Sequence, residues 1–184
     1  MALEIERRFL VRGDDWRPQV RWSRPLQQGY LTRAAAGVTV RVRLGEVTAP
    51  GQARLTIKAA AAGIARHEFE YPIPAADGEA LLALAAHRLS KTRHRLDLPG
   101  GDWVVDVFEP PNAPLVLAEV ELERADQSLV VPPWCALEVT GRLELSNASL
   151  SITPLSQWPA AERRAVLAAM GLSDPAMGPA GGSS

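Results

Sequence analysis

Strict alternation of apolar and charged residues is the feature that most limits how this chain can fold. In Val38–Leu44, for example, Thr39, Arg41 and Arg43 alternate with four apolar residues. Successive side chains of a β-strand point to opposite faces. Each such segment therefore predicts a strand with one apolar face and one polar or charged face.

The charges sort by sign from one predicted strand to the next. The basic rows contain Arg41, Arg43, Arg54, Lys58, Lys91, Arg93 and Arg95. The acidic rows contain Glu4, Glu6, Glu68, Glu70, Glu119 and Glu121, and Asp106 is the one charge that the pattern buries within Trp103–Phe108. For a single strand, a solvated outer face is the simpler interpretation. The same alternation recurs along nearly the whole chain, with basic rows on some strands and acidic rows on others. This repetition favours an interior that the charged faces share.

Closing these strands on themselves would remove exposed sheet edges and bring the charged rows onto one inner wall. We therefore expect a mainly β protein of the α+β class, an eight-stranded antiparallel closed tunnel with a charged interior and a few packing helices. A charged interior is costly unless it holds water or ions. A multiply charged anion with divalent cations fits this wall, since Arg and Lys bind phosphate oxygens and carboxylates bind Mg²⁺ or Mn²⁺.

Two helices are predicted outside the strands. The first follows Asp77, which the pattern suggests as its N-cap, and the second spans roughly residues 159–170. The segment after the first strand, which contains Arg17-Pro18, reads as a loop. Residues 1–172 are expected to form one domain, and the Gly-, Pro- and Ser-containing residues 173–184 a disordered tail.

Composition limits the class of partner. The 184 residues contain 20 Lys and Arg against 21 Asp and Glu, so no net charge attracts the protein to nucleic acid or to a membrane. No apolar run is long enough to cross a bilayer. Cys135 is the only cysteine, which fits a reducing cytoplasm. Pattern alone leaves monomer and homodimer open.

The ordered set of motifs resembles the CYTH superfamily, the triphosphate tunnel metalloenzymes, over roughly residues 2–155. It comprises an opening Glu4-x-Glu6-x-Arg8 strand, Gln28-Gly29-Tyr30-Leu31, Val40-Arg41-Val42-Arg43, Leu55-Thr56-Ile57-Lys58, Glu68-Phe69-Glu70, Lys91-Thr92-Arg93, Val105-Asp106, Ala118-Glu119-Val120-Glu121-Leu122 and Glu138-Val139-Thr140. Single-domain bacterial chains of this size are most similar to the inorganic triphosphatase branch. Other members hydrolyse thiamine triphosphate or cyclise ATP, and these activities are the nearest alternatives.

The resemblance implies a role for each charged row. A divalent cation would make a water more acidic for in-line attack on the terminal phosphorus of the substrate. The implied metal ligands are Glu4, Glu6, Glu119 and Glu121, with Asp106, Glu68 and Glu70 completing the acidic wall. The implied phosphate-binding residues are Arg41, Arg43, Lys58, Lys91, Arg93 and Arg54.

Two departures from the family pattern bear on catalysis. Arg8 stands where relatives carry a lysine that pairs with the tyrosine matching Tyr30, and an arginine cannot act as a general base. Arg8 and Tyr30 are thus candidate catalytic residues, but a non-catalytic polyphosphate-binding module is a further alternative. Arg142, Glu144 and Leu145 also replace an acidic residue and an Arg-Tyr pair, either as a local exchange of charges or as a change at one tunnel mouth.

Other reactive residues carry simpler interpretations. His67 and His94 fall on the apolar side of their strands and are expected to pack rather than bind metal. Cys135 has no neighbouring base in the sequence to activate it. Arg66, at a strand end, fits a solvated position at least as well as a phosphate contact. The glycosylation sequon Asn147-Ala148-Ser149 is expected to be accidental.

Overall fold

The alternating segments form the strands of one antiparallel sheet. The computed structural model describes residues 3–32, 37–45, 52–61 and 65–174. Its strands are β1 (Leu3–Val11), β2 (Val20–Tyr30), β3 (Val38–Leu44), β4 (Gln52–Ala60), β5 (Ala65–Pro74), β6 (His87–Leu96), β7 (Asp102–Phe108), β8 (Val116–Glu121) and β9 (Cys135–Glu138). The helices are α1 (Ala75–Leu84), α2 (Asn147–Ile152) and α3 (Ala160–Ala169), with short 3₁₀ turns at Arg17–Gln19, Leu143–Leu145 and Leu155–Gln157.

Strand β1 is the seam that closes the sheet. The strand order is β5-β4-β3-β2-β6-β7-β8-β1-β9, and β5 also pairs with β1. Along β1, Leu3 to Ile5 pair with β5 and Phe9 to Val11 with the short β9, while β8 occupies the opposite edge. Eight strands thus form a ring, which confirms the predicted antiparallel closed arrangement. The short β9 lies beside it.

The inner face of β1 explains how the interior is divided. Glu4, Glu6, Arg8 and Leu10 follow one another on this face, from acidic through basic to apolar. Leu10 belongs to a buried apolar cluster that includes residues of the C-terminal segment. The members of this cluster are Leu10, Tyr30, Leu89, Phe108, Leu115, Leu117, Val139, Leu145, Leu150, Leu155, Trp158, Val166, Leu167 and Met170. The interior is therefore apolar toward Leu10 and charged toward Glu4.

A second buried cluster covers the opposite face of the same strands. Phe9 stacks on Trp103 with ring centroids 6.1 Å apart, and Trp134 meets Trp103 edge-on at 5.9 Å. Trp16 also joins this cluster from the segment before β2. Because apolar clusters cover both faces toward the Leu10 end of β1, this end of β1, β7 and β8 is firmly packed.

Helix α1 packs against β3 and β4. A Cβ on Gly78 would lie 2.3 Å from the Ala53 Cβ, so this close helix–strand contact requires glycine. The helix begins at Ala75 after Pro74, with Asp77 inside its first turn. The predicted Asp77 cap was therefore wrong, because the helix starts directly at the end of β5.

Two other local predictions need adjustment. The loop predicted after β1 contains the start of β2, since Trp22 and its neighbours pair with β6 and only Arg17–Gln19 turn. At the other end, Asp174 is buried and pairs with Arg163 at 3.0 Å, and residues 175–184 of the predicted tail lie outside the described residues. Among the helices described, none has the length and apolar character needed to span a bilayer.

Candidate active site

A charged cavity of about 510 Å³ occupies the ring interior. All predicted site residues line it except Arg54, Lys91 and Asp106. The predicted residues that line it are Glu4, Glu6, Arg8, Tyr30, Arg41, Arg43, Lys58, Glu68, Glu70, Arg93, Glu119 and Glu121. The alternation thus identified the correct face of each strand.

Cross-strand register decides which charges meet. Glu6 lies opposite Glu121, whereas Arg8, two residues further along β1, lies opposite Glu119. Directly opposed residues share a face and lie close together. The same pair of strands therefore juxtaposes two carboxylates at one level and an ion pair at the next.

Five residues form a connected ion-pair network that we call the paired wall: Arg8, Lys91, Arg93, Asp106 and Glu119. Arg8 Nε lies 3.1 Å from Glu119 Oε1, and Arg93 Nη2 lies 2.7 Å from Glu119 Oε2. Arg93 also donates through Nε to Asp106 Oδ1 at 2.8 Å and through Nη2 to Oδ2 at 2.7 Å. Burial alone raises the pKa of Glu119, but Lys91, Arg93 and Arg8 hold it well below its usual value.

Lys91 and Asp106 lie behind the cavity lining rather than on it. Both side chains are fully buried and paired with each other, and Lys91 also donates to Asn147 Oδ1 at 3.1 Å. Burial lowers the pKa of Lys91 to about 8, although Asp106 opposes this shift. Alternation predicts which face of a strand a side chain occupies, but not how far along the strand the cavity extends. It therefore could not distinguish these two buried residues from those that line the cavity.

A second basic group lies on β3. Arg41 Nη2 and Arg43 Nη2 donate to the same oxygen, Glu70 Oε1, at 3.3 and 3.2 Å, and Thr56 Oγ1 donates to it at 2.9 Å. Burial alone would raise the pKa of Glu70, but Arg43 and the Thr56 hydroxyl lower it. The buried Nε of Arg41 has no hydrogen-bond partner among the described residues. An oriented buried donor of this kind suits an anion.

Lys58 on β4 forms ion pairs with two carboxylates, one on β1 and one on β5. Its Nζ lies 2.6 Å from Glu4 Oε2 and 3.1 Å from Glu68 Oε1. Arg54, by contrast, sits opposite Arg43 on the neighbouring strand and lies outside the cavity lining. The predicted phosphate-binding residues that face the cavity are therefore Arg41, Arg43, Lys58 and Arg93.

Three glutamates form what we call the acidic edge: Glu4, Glu6 and Glu121. Burial is the largest cause that raises the pKa of each; Glu119 and Glu4 add to it for Glu6, and Glu4 and Asp102 for Glu121. Within the described part of the chain, no hydrogen bond or ion pair reaches the carboxylate of Glu6 or of Glu121. The same part contains no group of three His, Cys, Asp or Glu side chains already gathered to hold a metal.

Tyr30 and Arg8 act as hydrogen-bond donors in this structure. Burial raises the pKa of Tyr30 to about 12, and its hydroxyl donates to Gln28 Oε1 at 3.4 Å. Arg8 Nη2 donates to the Leu145 carbonyl at 3.0 Å while its Nε holds Glu119. Neither group is a base near neutral pH.

Several residues that line the cavity were not among the predicted site residues. Arg66 and residues 146–149 of the C-terminal segment also face the cavity. Arg66 belongs to the polar row of β5, a signal that its position at a strand end obscured. The C-terminal residues carry no alternation, because they reach the cavity from a turn and the start of α2 rather than from a strand.

Arg142, Glu144, His94 and Cys135 make contacts outside the cavity. Arg142 and Glu144 pair with each other at 2.7 Å and do not line the cavity, which favours a local exchange of charges. The His94 Nδ1 is 2.7 Å from Ser23 Oγ, and the His94 ring packs on Trp16. Burial raises the pKa of the Cys135 thiol to about 12, so this thiol stays protonated near neutral pH and is not activated as a nucleophile.

Comparison with known proteins places these features in a family. A model of the CYTH domain matches residues 2–151. An inorganic triphosphatase of Acetivibrio thermocellus is 32% identical over 156 residues, covering 84% of this chain and 96% of that protein. An inorganic triphosphatase of Nitrosomonas europaea is 34% identical over 154 residues, covering 82% and 97%. A crystal structure of an inorganic triphosphatase, 32% identical, superimposes with a TM-score of 0.59 over 83% of this chain and 96% of that one.

Proposed function

The chain belongs to the CYTH domain family, and on that premise we propose that it hydrolyses inorganic triphosphate in its charged cavity with Mg²⁺ or Mn²⁺ as cofactor. The similarity to two inorganic triphosphatases supports the substrate. The observation that carries the proposal is that one cavity combines six cationic side chains with an acidic edge, in which the Glu6 and Glu121 side chains have no hydrogen-bond or ion-pair partner among the described residues. Such a space suits a polyanion together with a cation.

Phosphate oxygens would bind the cationic residues that face the cavity. Arg41, Arg43, Lys58 and Arg93 are now neutralised by carboxylates, so an incoming polyanion competes for groups that are already charged and oriented. The partnerless Nε of Arg41 gives a buried donor that no described carboxylate satisfies. These contacts would hold the chain of phosphates for in-line attack and offset its negative charge.

The acidic edge fits the proposed cation. The Glu6 and Glu121 side chains have no hydrogen-bond or ion-pair partner among the described residues, and Glu4, which pairs with Lys58, is adjacent. Burial and neighbouring carboxylates raise the pKa of all three. Glu119 and Asp106 are held in the paired wall, and Glu68 and Glu70 are held by cationic side chains. We therefore assign the metal to Glu4, Glu6 and Glu121, where it would acidify a water and offset phosphate charge.

Arg8 and Tyr30 would act as hydrogen-bond donors. Arg8 keeps Glu119 fixed and carries positive charge at the cavity wall, and Tyr30 stays protonated because of its raised pKa. Arginine at position 8 cannot act as a base, but it keeps the positive charge that a lysine would offer to phosphate. Cytoplasmic location and the monomer-or-homodimer state stay predictions.

Phosphate release from purified protein tests the proposal. With Mg²⁺ or Mn²⁺ present, release from triphosphate should be faster than from ATP or pyrophosphate, and the paired change Glu4→Gln with Glu6→Gln should abolish it. Glu162→Gln, at an exposed position on α3, is the matched control. Absence of cation-dependent release from every triphosphate would overturn the proposal, and tight binding without turnover would identify a binding module instead.

A further inference from the structure

Asn147 lines the cavity at the first position of α2, and no role described above uses it. Its Oδ1 accepts a hydrogen bond from Lys91 Nζ at 3.1 Å. It is also the acceptor asparagine of the sequon.

Lys91 determines which way the amide faces. An ammonium group donates hydrogen bonds and accepts none, and Lys91 is fully buried between Asp106, Asn147 and the Phe108 ring, whose centroid is 5.3 Å from Nζ. The amide oxygen must therefore face Lys91, and the orientation follows from the network. The Nδ2 group then points the other way.

The Nδ2 group of Asn147 is free to donate. It makes no hydrogen bond to another described residue, and it is not among the enclosed polar atoms without partners. The neighbouring Ser146 hydroxyl, by contrast, donates to Ser149 Oγ at 3.0 Å. Asn147 thus offers the cavity a donor that is unused and whose orientation Lys91 fixes.

We propose that Asn147 is a substrate-binding residue, whose Nδ2–H donates to a phosphate oxygen of triphosphate in an orientation fixed by Lys91. The inference rests on the proposed function of the same cavity. Phosphate oxygens accept hydrogen bonds, and a neutral donor adds direction without adding charge. Lys91, which the sequence suggested as a direct phosphate contact, acts on the substrate through Asn147 instead.

Two substitutions separate this role from simple support of Lys91. Asn147→Asp keeps an acceptor for Lys91 but replaces the donor by a carboxylate oxygen that repels phosphate. Asn147→Ala removes both ends of the amide. Gln157→Glu makes the same amide-to-acid change at an exposed position outside the cavity lining and is the matched control.

The readouts are the Kd of triphosphate in EDTA, measured by calorimetry, and the KM with Mg²⁺. We expect weakening of about 10-fold for Asn147→Ala and about 100-fold for Asn147→Asp, as for loss of a hydrogen bond to a charged group and for added repulsion. Gln157→Glu should match the unaltered protein. Thermal unfolding reports whether each variant is folded, and Asn147→Ala alone still decides the question if the aspartate variant does not fold.

The order of the two variants is decisive. If Asn147→Asp binds like the unaltered protein while Asn147→Ala is weakened, Asn147 only satisfies Lys91 and the inference is overturned. Unchanged binding by both variants also overturns it while leaving the proposed function intact. If the unaltered protein neither binds nor hydrolyses triphosphate, the proposed function fails and the inference fails with it.

Discussion

Glu119 and Glu121 lie two residues apart on the same face of β8 and line the same cavity, yet their environments are opposite. Glu119 lies opposite Arg8, and its pKa is held well below the usual value. Glu121 lies opposite Glu6, and burial together with neighbouring carboxylates raises its pKa. The comparison teaches that the charged side chains gathered around each glutamate, rather than the glutamate itself, set its charge chemistry: Lys91, Arg93 and Arg8 for Glu119, and Glu4, Asp102 and Glu6 for Glu121.

The same contrast extends to the regions that contain them. In the paired wall every carboxylate is bound by cationic side chains, so it holds the strands β1, β6, β7 and β8 in fixed positions. At the acidic edge, Glu6 adds to the raised pKa of Glu121, and neither side chain forms a hydrogen bond or ion pair with a described residue. We propose that the first region maintains structure and that the second binds the cation.

The largest expected effect comes from breaking the paired wall. Asp106→Ala leaves Lys91 and Arg93 without their shared buried carboxylate, and removal of one partner of a buried ion pair costs about 3–5 kcal/mol. Urea unfolding should show this loss in the free energy of unfolding. Asp126→Ala, which breaks an exposed pair with Arg124, should cost no more than about 1 kcal/mol. Equal losses would show that the wall is not a structural network.

Neutralising the acidic edge should lower activity without lowering stability, in contrast to a change in the paired wall. Glu6→Gln combined with Glu121→Gln should lower cation-dependent triphosphate hydrolysis by at least about 100-fold, equivalent to about 2.7 kcal/mol of transition-state stabilisation. The free energy of unfolding should stay the same or rise, because repulsion between carboxylates is removed. A variant that loses stability but keeps its activity would reverse the roles that we assign to the two regions.

The pH dependence of stability in metal-free protein sharpens the comparison further. Raised pKa values mean that the folded acidic edge binds protons more tightly than the unfolded chain. Its contribution to stability is therefore complete below pH 4.5 and is lost as the pH rises through the folded pKa values. Thermal midpoints in EDTA should fall more over this rise for the unaltered protein than for the Glu6→Gln/Glu121→Gln variant, and parallel curves would contradict the assignment.

The smallest expected effect is at the junction of the two regions. Arg8→Lys keeps the positive charge, but a lysine cannot reproduce the planar guanidinium contacts to both Glu119 and the Leu145 carbonyl. We expect a loss of about 1 kcal/mol in the free energy of unfolding and a change in kcat of less than about 10-fold. A large gain in kcat would instead show that base chemistry at position 8 limits the reaction.

Alternation in the sequence predicted most of the fold and the lining of the site, because side-chain period fixes the face of a strand. It could not predict that Lys91 and Asp106 are buried behind the cavity lining. Both lie toward the apolar end of the ring interior, where the C-terminal segment packs. It also missed Asn147 and overlooked the start of β2. These features depend on contacts between distant segments, which local spacing does not encode.

Cation binding to the metal-free protein tests the central claim most directly. Calorimetric titration with Mn²⁺ should show binding by the unaltered protein and by Glu162→Gln, and binding weakened by about 100-fold or more in Glu6→Gln/Glu121→Gln, since each 1.4 kcal/mol of lost affinity is tenfold. Unchanged Mn²⁺ affinity in the double variant would contradict the claim that the acidic edge binds the cation.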